Sequence, residues 1–370
     1  MTDVRVELRT VQIPLVRPFR TSRSVESAKD ALLVRWSAGD VDGWGECGAD
    51  PTPTFFPETL DSARATIATV LLPMLAERDP ARISAGQAKR VMDAVPGNHL
   101  AKAAVEMAIL DAQLKRAQMS LADFLGGAHA AVRVGVSVGI ADSLEQLLDR
   151  VAQYLDAGYT RIKLKIEPGW DVEPVGAVRH KFGPGLSLQV DANQAYGPAD
   201  LRILRRLDEF DLLLLEQPFP KEELLASARL AERIETPVCL DESITNLHSA
   251  AAAISLGACQ IINIKPARVG GYLEARSIHD LCLAHGIPVF CGGLLETGIG
   301  RAANLALATL PNFTLPGDIS ATSRYFAQDI TQSFELQDGC LRVPDGPGTG
   351  AVVDLDALQA CTVDSQTVEL

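Results

Sequence analysis

The chain has 370 residues, is 47% hydrophobic and has a mean hydropathy of +0.11, enough to bury a large core in one big domain with a smaller companion. A formal net charge of -13 works against nonspecific attraction to nucleic acid or to an anionic membrane surface, so neither is expected as a partner. Seven cysteines without a Cys-x-x-Cys pair, several inside apolar runs such as Pro237-Val-Cys-Leu240, read as reduced core thiols. The N-terminus alternates charged and apolar residues, unlike a signal peptide, and no apolar stretch approaches a membrane span, so a cytoplasmic protein is expected.

From about residue 3 to 48 the pattern is that of antiparallel strands, with Val4, Val6 and Leu8 on one face, then Ala31–Trp36, and then Gly43-Trp-Gly-Glu-Cys47 read as a turn. From Glu58 to Phe124 the spacing becomes helical. One long helix carries Leu100, Ala104, Ala108 and Ala112 on a face and is expected to run to Gly126-Gly127. These elements predict an α+β capping domain over residues 1–130.

Beyond it lies a repeat of short apolar strand, loop and helix. Strand ends fall at Ser137, Lys165, Asp191, Glu216, Asp241, Lys265, Cys291 and Pro316, and those from Lys165 to Cys291 recur every 24 to 26 residues. Eight strands at that even step predict an α/β barrel of the TIM type over residues 131–325. A doubly wound open sheet is the alternative, but the first strand has no Gly-rich fingerprint after it. Past residue 330 the period is lost, and residues 326–370, including Gly346-Pro-Gly-Thr-Gly350, read as an irregular tail that packs back on the capping domain.

Five of the strand ends are charged and consecutive: Lys165, Asp191, Glu216, Asp241 and Lys265. In a barrel that rim is where side chains from neighbouring strands converge. A single carboxylate there more often caps the next helix. Three in a row form an all-oxygen, trianionic set suited to Mg²⁺, and without a cation they would raise each other's pKa. Lys163 and Lys165 share one strand face, and Asn263 shares one with Lys265, so lysines flank the carboxylates on both sides. A lysine is a poor base at neutral pH, and Lys163 beside Lys165 is the kind of neighbouring cation that lowers an ammonium's pKa. The chemistry such a set can perform is removal of a proton α to a carboxylate, with the metal stabilising the enediolate.

Lys163-Leu-Lys165, Asp191-Ala-Asn193, Glu216-Gln-Pro218, Asp241-Glu-Ser243 and Asn263-Ile-Lys265 together resemble the muconate-lactonizing branch of the enolase superfamily. Ile166-Glu-Pro-Gly-Trp-Asp171, Asn263–Tyr272, Gly292–Gly298 and Pro316-Gly-Asp-Ile-Ser320 are similar to its o-succinylbenzoate synthase and N-succinylamino acid racemase group. The resemblance implies a modified barrel, (β/α)₇β, with metal ligands Asp191, Glu216 and Asp241, acid/base lysines Lys165 and Lys265, and Lys163 assisting. Mg²⁺ is the implied cofactor, with Mn²⁺ able to substitute, and the implied assembly is a homo-oligomer, dimer or octamer. The first activity implied is the synthase reaction, dehydration of 2-succinyl-6-hydroxy-2,4-cyclohexadiene-1-carboxylate in menaquinone biosynthesis. The alternative is racemisation of N-succinylamino (N-acylamino) acids, with one site able to run both.

Weaker signals surround this set. Arg268 matches a feature of the racemase-capable branch and would orient Lys265, or else is a surface arginine. Pro18–Ser22 and Asp50–Phe56 would close over a small carboxylate substrate by resemblance, with Phe19 either there or in the small-domain core. Gly292-Gly293 permits backbone approach to the substrate or is a packing turn. Ser137 would bond substrate or cap the next helix, Asn193 would contact substrate, and Glu296 would add a rim charge. The six histidines, none at a strand end, do not suggest a zinc hydrolase. A phosphate-binding barrel leaves the carboxylates unexplained, and a barrel that only binds would not need all five charged strand ends.

Overall fold

The computed structural model describes residues 4–370; the first three, part of the N-terminal stretch read above, lie outside the described residues. Strands β1 (Val4–Arg20), β2 (Val25–Ala38) and β3 (Val41–Cys47) form an antiparallel sheet, with Val4, Val6 and Leu8 buried on one face. Gly43-Trp-Gly-Glu-Cys47 is strand rather than turn. A Cβ on Gly43 would lie 2.0 Å from the Ala108 carbonyl oxygen, and one on Gly45 would lie 2.0 Å from that of Ala104. The two glycines are there for close approach to a helix, not for a bend.

That helix, His99–Arg116, is buried along most of its length and ends ten residues before Gly126. Gln118 takes the left-handed conformation at φ 52°, and the Met119 N–H bonds back to the Leu114 carbonyl. A non-glycine residue thus closes the helix in the manner usually given to glycine, which the apolar period does not reveal. A short helix, Leu121–Leu125, follows and ends at Gly126.

The second body is a curled parallel sheet of seven strands in chain order: β4 (Val136–Val138), β5 (Arg161–Lys165), β6 (Ser187–Asp191), β7 (Leu215–Glu216), β8 (Val238–Leu240), β9 (Ile261–Ile264) and β10 (Val289–Cys291). The expected eighth strand is not a ladder. Residues 312–318 close the ring by single contacts, Val289 N–H to the Asn312 carbonyl and Asp318 N–H to that of Cys291 on one side. On the other, Gly317 N–H donates to the Arg133 carbonyl and Gly135 N–H to that of Gly317. Alternation along each strand sends Leu214, Cys239, Ile261 and Phe290 inward as an apolar floor, packed by Leu315. The next inward residues toward the C-terminal ends are the polar ones.

The tail is more regular than its composition suggests. Leu336–Gln337 and Cys340–Arg342 form a hairpin on Ala131–Arg133 at the barrel's base, and β11 (Thr362–Glu369) adds antiparallel to β1. No described helix is long and apolar enough to cross a membrane. The seven cysteines are unpaired, five of them buried.

Two capping-domain carboxylates hold the domains together. Glu46 of β3 accepts from Thr297 N–H at 3.0 Å, Thr297 Oγ1 at 2.7 Å and Gly300 N–H at 2.9 Å, at the start of helix Gly298–Leu307. Glu106 accepts from Tyr272 and Leu273 N–H at 2.8 and 2.9 Å, at the start of helix Tyr272–Ala284. Each satisfies donors that a helix N-terminus leaves open. Burial pushes both carboxyls from 4.5 up to about 7, against the lowering effect of those bonds. Protonation therefore favours the native state, so this contribution to stability is complete below the unfolded value and is lost as pH rises through about 7. Glu106→Gln should lose less stability than the unaltered protein between about pH 5 and 8, by up to roughly 3 kcal/mol, measured by urea unfolding at each pH.

Candidate active site

The inward face of β5 carries Arg161, Lys163 and Lys165 in succession, all buried. Parallel register sets Lys165 opposite Asp191 and Asp191 opposite Glu216. Glu216 pairs with Cys239, however, so Asp241 stands two residues further along its strand. Strand stagger places the three carboxylates at different heights rather than on one level.

Their partners follow from that stagger. Lys163 Nζ reaches Glu216 Oε1 at 2.9 Å, Asp318 Oδ2 at 2.7 Å and Asp191 Oδ2 at 3.0 Å, and lies 5.8 Å over the Phe290 ring. Burial would lower its pKa, but Asp191, Asp318 and Glu216 raise it well above the ordinary lysine value. Lys163 is a fixed cation, not a base. Burial also pushes the Asp191 carboxyl up, yet Lys163 and then Lys165 hold it well below the usual range. Glu216, desolvated and next to the Asp191 charge, is raised. Asp191 lies between the two ammoniums, since Lys165 Nζ donates to its Oδ2 at 2.5 Å. The repulsion between Lys163 and Lys165 expected from their spacing is thus offset.

Asn193 ties Lys165 to the rim: its Oδ1 accepts from Lys165 Nζ at 2.7 Å and its Nδ2 donates to Glu242 Oε1 at 3.2 Å. Asn193, Gln194 and Gln217 all take positive φ just past strand ends, the strained backbone often found at working sites. Gln217 links β7 to β8, accepting from Asp241 N–H at 2.9 Å and donating to Ser243 Oγ at 2.8 Å. Lys265 Nζ donates to Asp241 Oδ2 at 2.8 Å.

Arg268 is not a surface residue. Buried, it donates to Asp241 and to the carbonyls of Ile244 and Asn263, both at 2.6 Å. Burial lowers it to about 9, still a cation at neutral pH. It reaches Lys265 through the carboxylate they share.

Lys165 and Lys265 line one cavity of about 70 Å³ with Asn193, Glu242, Gly293, Leu294 and Leu295 from the barrel, and Thr21, Glu26, Gly48, Asp50, Phe55 and Phe56 from the cap. The cap is closed over it, with Ser22 Oγ donating to the Ala192 carbonyl and Arg23 Nε to that of Asn193. A larger groove lies elsewhere on the capping domain, among Met74, Arg78, Arg82 and Arg90, far from this chemistry.

Three of the weaker candidates stand apart from this cavity. Phe19 does not line the cavity; it is buried beneath the Arg324 guanidinium, 5.5 Å over its ring. Ser137 neither lines it nor caps the next helix, whose start is capped by Ser143. Glu296 accepts from Asn304 Nδ2 at 3.0 Å in a small domain-interface cavity with Glu46 and Tyr272.

Among the described residues, no three His, Cys, Asp or Glu side chains converge as a metal-binding group. Each carboxylate is instead turned to a cation: Asp191 to Lys163 and Lys165, Glu216 to Lys163, Asp241 to Lys265 and Arg268. The donor chemistry nevertheless suits a hard divalent ion, with all-oxygen carboxylates on three adjacent strands.

Sequence reasoning assigned no role to Asp318, Glu242 or Glu26, whereas Asp50, Phe55 and Phe56 belong to the segment it read as closing over substrate. Asp318 was within reach, because it follows the eighth apolar segment as the others follow theirs. Lys163 and Arg161 hold its carboxyl well below the usual range, against burial.

A parallel barrel with lysines and carboxylates at its strand ends, closed by a cap, defines an acid/base enzyme acting on a small molecule. Residues 3–126 match the mandelate racemase/muconate lactonizing enzyme N-terminal domain, and residues 146–357 match the enolase C-terminal domain-like family. The chain belongs to this family of the enolase superfamily, within the o-succinylbenzoate synthase and N-succinylamino acid racemase group. It is 56% identical over 346 residues, 93% of each chain, to an N-succinylamino acid racemase of Amycolatopsis. It is 45% identical over 351 residues, 94% of this chain and 93% of the relative, to an o-succinylbenzoate synthase of Geobacillus kaustophilus. A solved enolase-superfamily structure from Listeria innocua superposes with a TM-score of 0.93 at 41% identity, covering 99% of this chain and 98% of that one. Members of the superfamily typically bind a divalent metal such as Mg.

Gly292 stands beside Lys265: a Cβ there would lie 2.6 Å from Lys265 Cε and 2.3 Å from Asn263 Oδ1. Gly292→Ala should displace the lysine and lower kcat by about 100-fold while the protein stays folded, checked by steady-state kinetics alongside circular dichroism.

Proposed function

We propose that this enzyme racemises N-succinylamino acids at Cα. The observation that carries the reading is that Lys165 and Lys265, on strands separated by three others, both line one closed cavity. Inversion at a carbon needs one group to take the proton from one face and another to return a proton to the opposite face. As the free amine, Lys165 takes the α-proton, the C–H electron pair passes into the carboxylate, and Lys265 as ammonium delivers a proton to the other face. In the reverse direction the two exchange roles. Asn193 fixes the Lys165 ammonium in place, and Arg268, by sharing Asp241, does the same for Lys265. The 56% identity to a racemase favours this activity over the synthase that the motifs first suggested.

Asp191, Glu216 and Asp241 would hold a divalent ion, Mg²⁺ or Mn²⁺. When bound, it supplies positive charge where the substrate carboxylate gains negative charge. The cavity of about 70 Å³ is too small for an acylated amino acid, so the Thr21–Ser24 and Asp50–Phe56 segments must part to admit one.

The synthase reaction is the second reading, supported by the 45% identity to a synthase. It asks less of the site: Lys165 removes the α-proton of the cyclohexadiene carboxylate and returns it to the β-hydroxyl, which leaves as water, while Lys265 serves as a cation.

Purified enzyme in D₂O with Mg²⁺ should exchange the α-proton of both enantiomers of N-succinylamino acids, followed by NMR and polarimetry. Exchange of neither enantiomer, with formation of o-succinylbenzoate intact, would leave the synthase reading standing alone. Lys165→Ala should lower both activities by about 10³-fold or more. Chelation with EDTA should abolish turnover, with recovery on adding Mg²⁺ or Mn²⁺; full activity after exhaustive chelation would remove the ion from the scheme.

A further inference from the structure

The cap reaches the chemistry by a second route that does not pass through the cavity wall. Thr21–Ser24, the tip of the β1–β2 hairpin, is a turn closed on itself: Thr21 N–H donates to the Ser24 carbonyl at 2.9 Å, and Thr21 Oγ1 accepts from the N–H groups of Arg23 and Ser24, both at 3.1 Å. The β1–β2 register breaks between Pro14 and Phe19, which sets this tip off from the sheet behind it. The tip rests on the turn after β6. Ser22 Oγ donates to the Ala192 carbonyl at 3.2 Å, and Arg23 Nε to that of Asn193 at 3.0 Å. Ala192 also accepts from Ala195 N–H, whereas among the described residues the Asn193 carbonyl has no donor but Arg23. Arg23 is exposed and does not line the cavity, so it can act on the reaction only through that turn.

Asn193 stands at φ 43°, a conformation that a residue with a side chain keeps only while its surroundings hold it. Its Oδ1 and Asp191 Oδ2 are the two acceptors of Lys165 Nζ. An amine that donates two N–H bonds has one tetrahedral direction left for its lone pair, so these two acceptors aim Lys165 into the cavity it lines. They are held differently. Asp191 is fixed by its place on β6 and by Lys163, while the Asn193 amide has Glu242 at 3.2 Å and, on its own backbone, Arg23 of the cap. Parting Thr21–Ser24 from the barrel to admit substrate withdraws Arg23 from the turn, and closing restores it.

We propose that Arg23 is a positioning residue for Lys165, acting through Asn193, so that the amine is aimed at the α-proton only when the cap is closed. This rests on the reading of Lys165 as the base. The test uses Arg23→Met and Arg23→Gln, which both lack the charge; only Gln carries an N–H where Arg23 has Nε. Exchange of the α-proton of each enantiomer of N-succinylnorleucine is followed by NMR in D₂O with Mg²⁺, with folding checked by thermal melt. Arg23→Met should lower kcat for exchange about tenfold, the worth of one hydrogen bond, with KM changed less than about twofold. The fall should appear for the enantiomer that Lys165 deprotonates and not for the one that Lys265 deprotonates, and Arg23→Gln should recover most of it. In Asn193→Gly, which suits the left-handed backbone and removes the amide, adding Arg23→Met should cost less than about twofold more. An unchanged kcat in Arg23→Met, an equal fall for both enantiomers, a loss through KM alone, or a further tenfold loss in the Asn193→Gly background would overturn the proposal, with Lys165 as base left standing. Should the unaltered enzyme exchange neither enantiomer, the racemase reading falls, and the Met and Gln variants are compared in o-succinylbenzoate formation, where the same loss and recovery of kcat are expected and equal kcat overturns the proposal. Normal turnover of Lys165→Ala in both reactions would remove the base reading and the proposal with it.

Discussion

Lys163 holds a positive charge inside the barrel, and the rest of the site is arranged around it. It is 2% exposed and meets carboxylates from β6, from β7 and from the segment that closes the ring. Removing one member of such a buried set leaves an uncompensated charge, at a cost of about 3–5 kcal/mol. The same contacts explain how Asp191, Glu216 and Asp318 come so close together in an apolar frame. Arg161 below adds a second fixed cation, paired with Asp318 at 2.7 Å. A Cβ on Gly135 would lie 2.2 Å from Arg161 Nε, so the strand next to it leaves room for the guanidinium.

Lys165, the base in the proposed reaction, sits one step above this charge on the same strand face. Fixed charge and mobile proton are thereby separated along β5: Lys163 is held by three carboxylates, while Lys165 faces the cavity with Asp191 and Asn193 as its partners. On the far side Asp241 is shared by Lys265 and Arg268. Both lysines are thus positioned by a carboxylate that a second cation also holds, an arrangement that limits the freedom of each ammonium at little cost in net charge.

The capping domain shapes the cavity and is itself held by the barrel. Glu46 and Glu106 reach the N-termini of two barrel helices, and Gly43 and Gly45 bring β3 against the helix that bears Glu106. The strand that ends at Cys47 is therefore fixed from both sides, and the chain leaving it delivers Gly48 and Asp50 to the cavity. A pocket built across two domains in this way pairs a barrel side rich in acid/base groups with a cap side free to set which side chain is admitted.

Much of the barrel could be read locally. Apolar runs at steps of 24 to 26 residues marked the strands, and a charged residue after each of five consecutive ones marked the rim. The family followed from the motifs on those strand ends. What local pattern did not reveal depended on pairing between distant segments. Residues 312–318 close the ring through isolated bonds that have no periodic signature, and β11 lies in a tail whose composition resembles loop. Strand stagger set Asp241 two residues beyond the partner of Glu216, so neighbours in the repeat are not level in space. Phe19 and Ser137 looked suitable by position and lie outside the cavity, whereas Glu26, which carried no signal, enters it. Side-chain alternation and strand period are properties of a few adjacent residues and can be read from them; which side chains share a cavity is decided by the packing of segments more than a hundred residues apart.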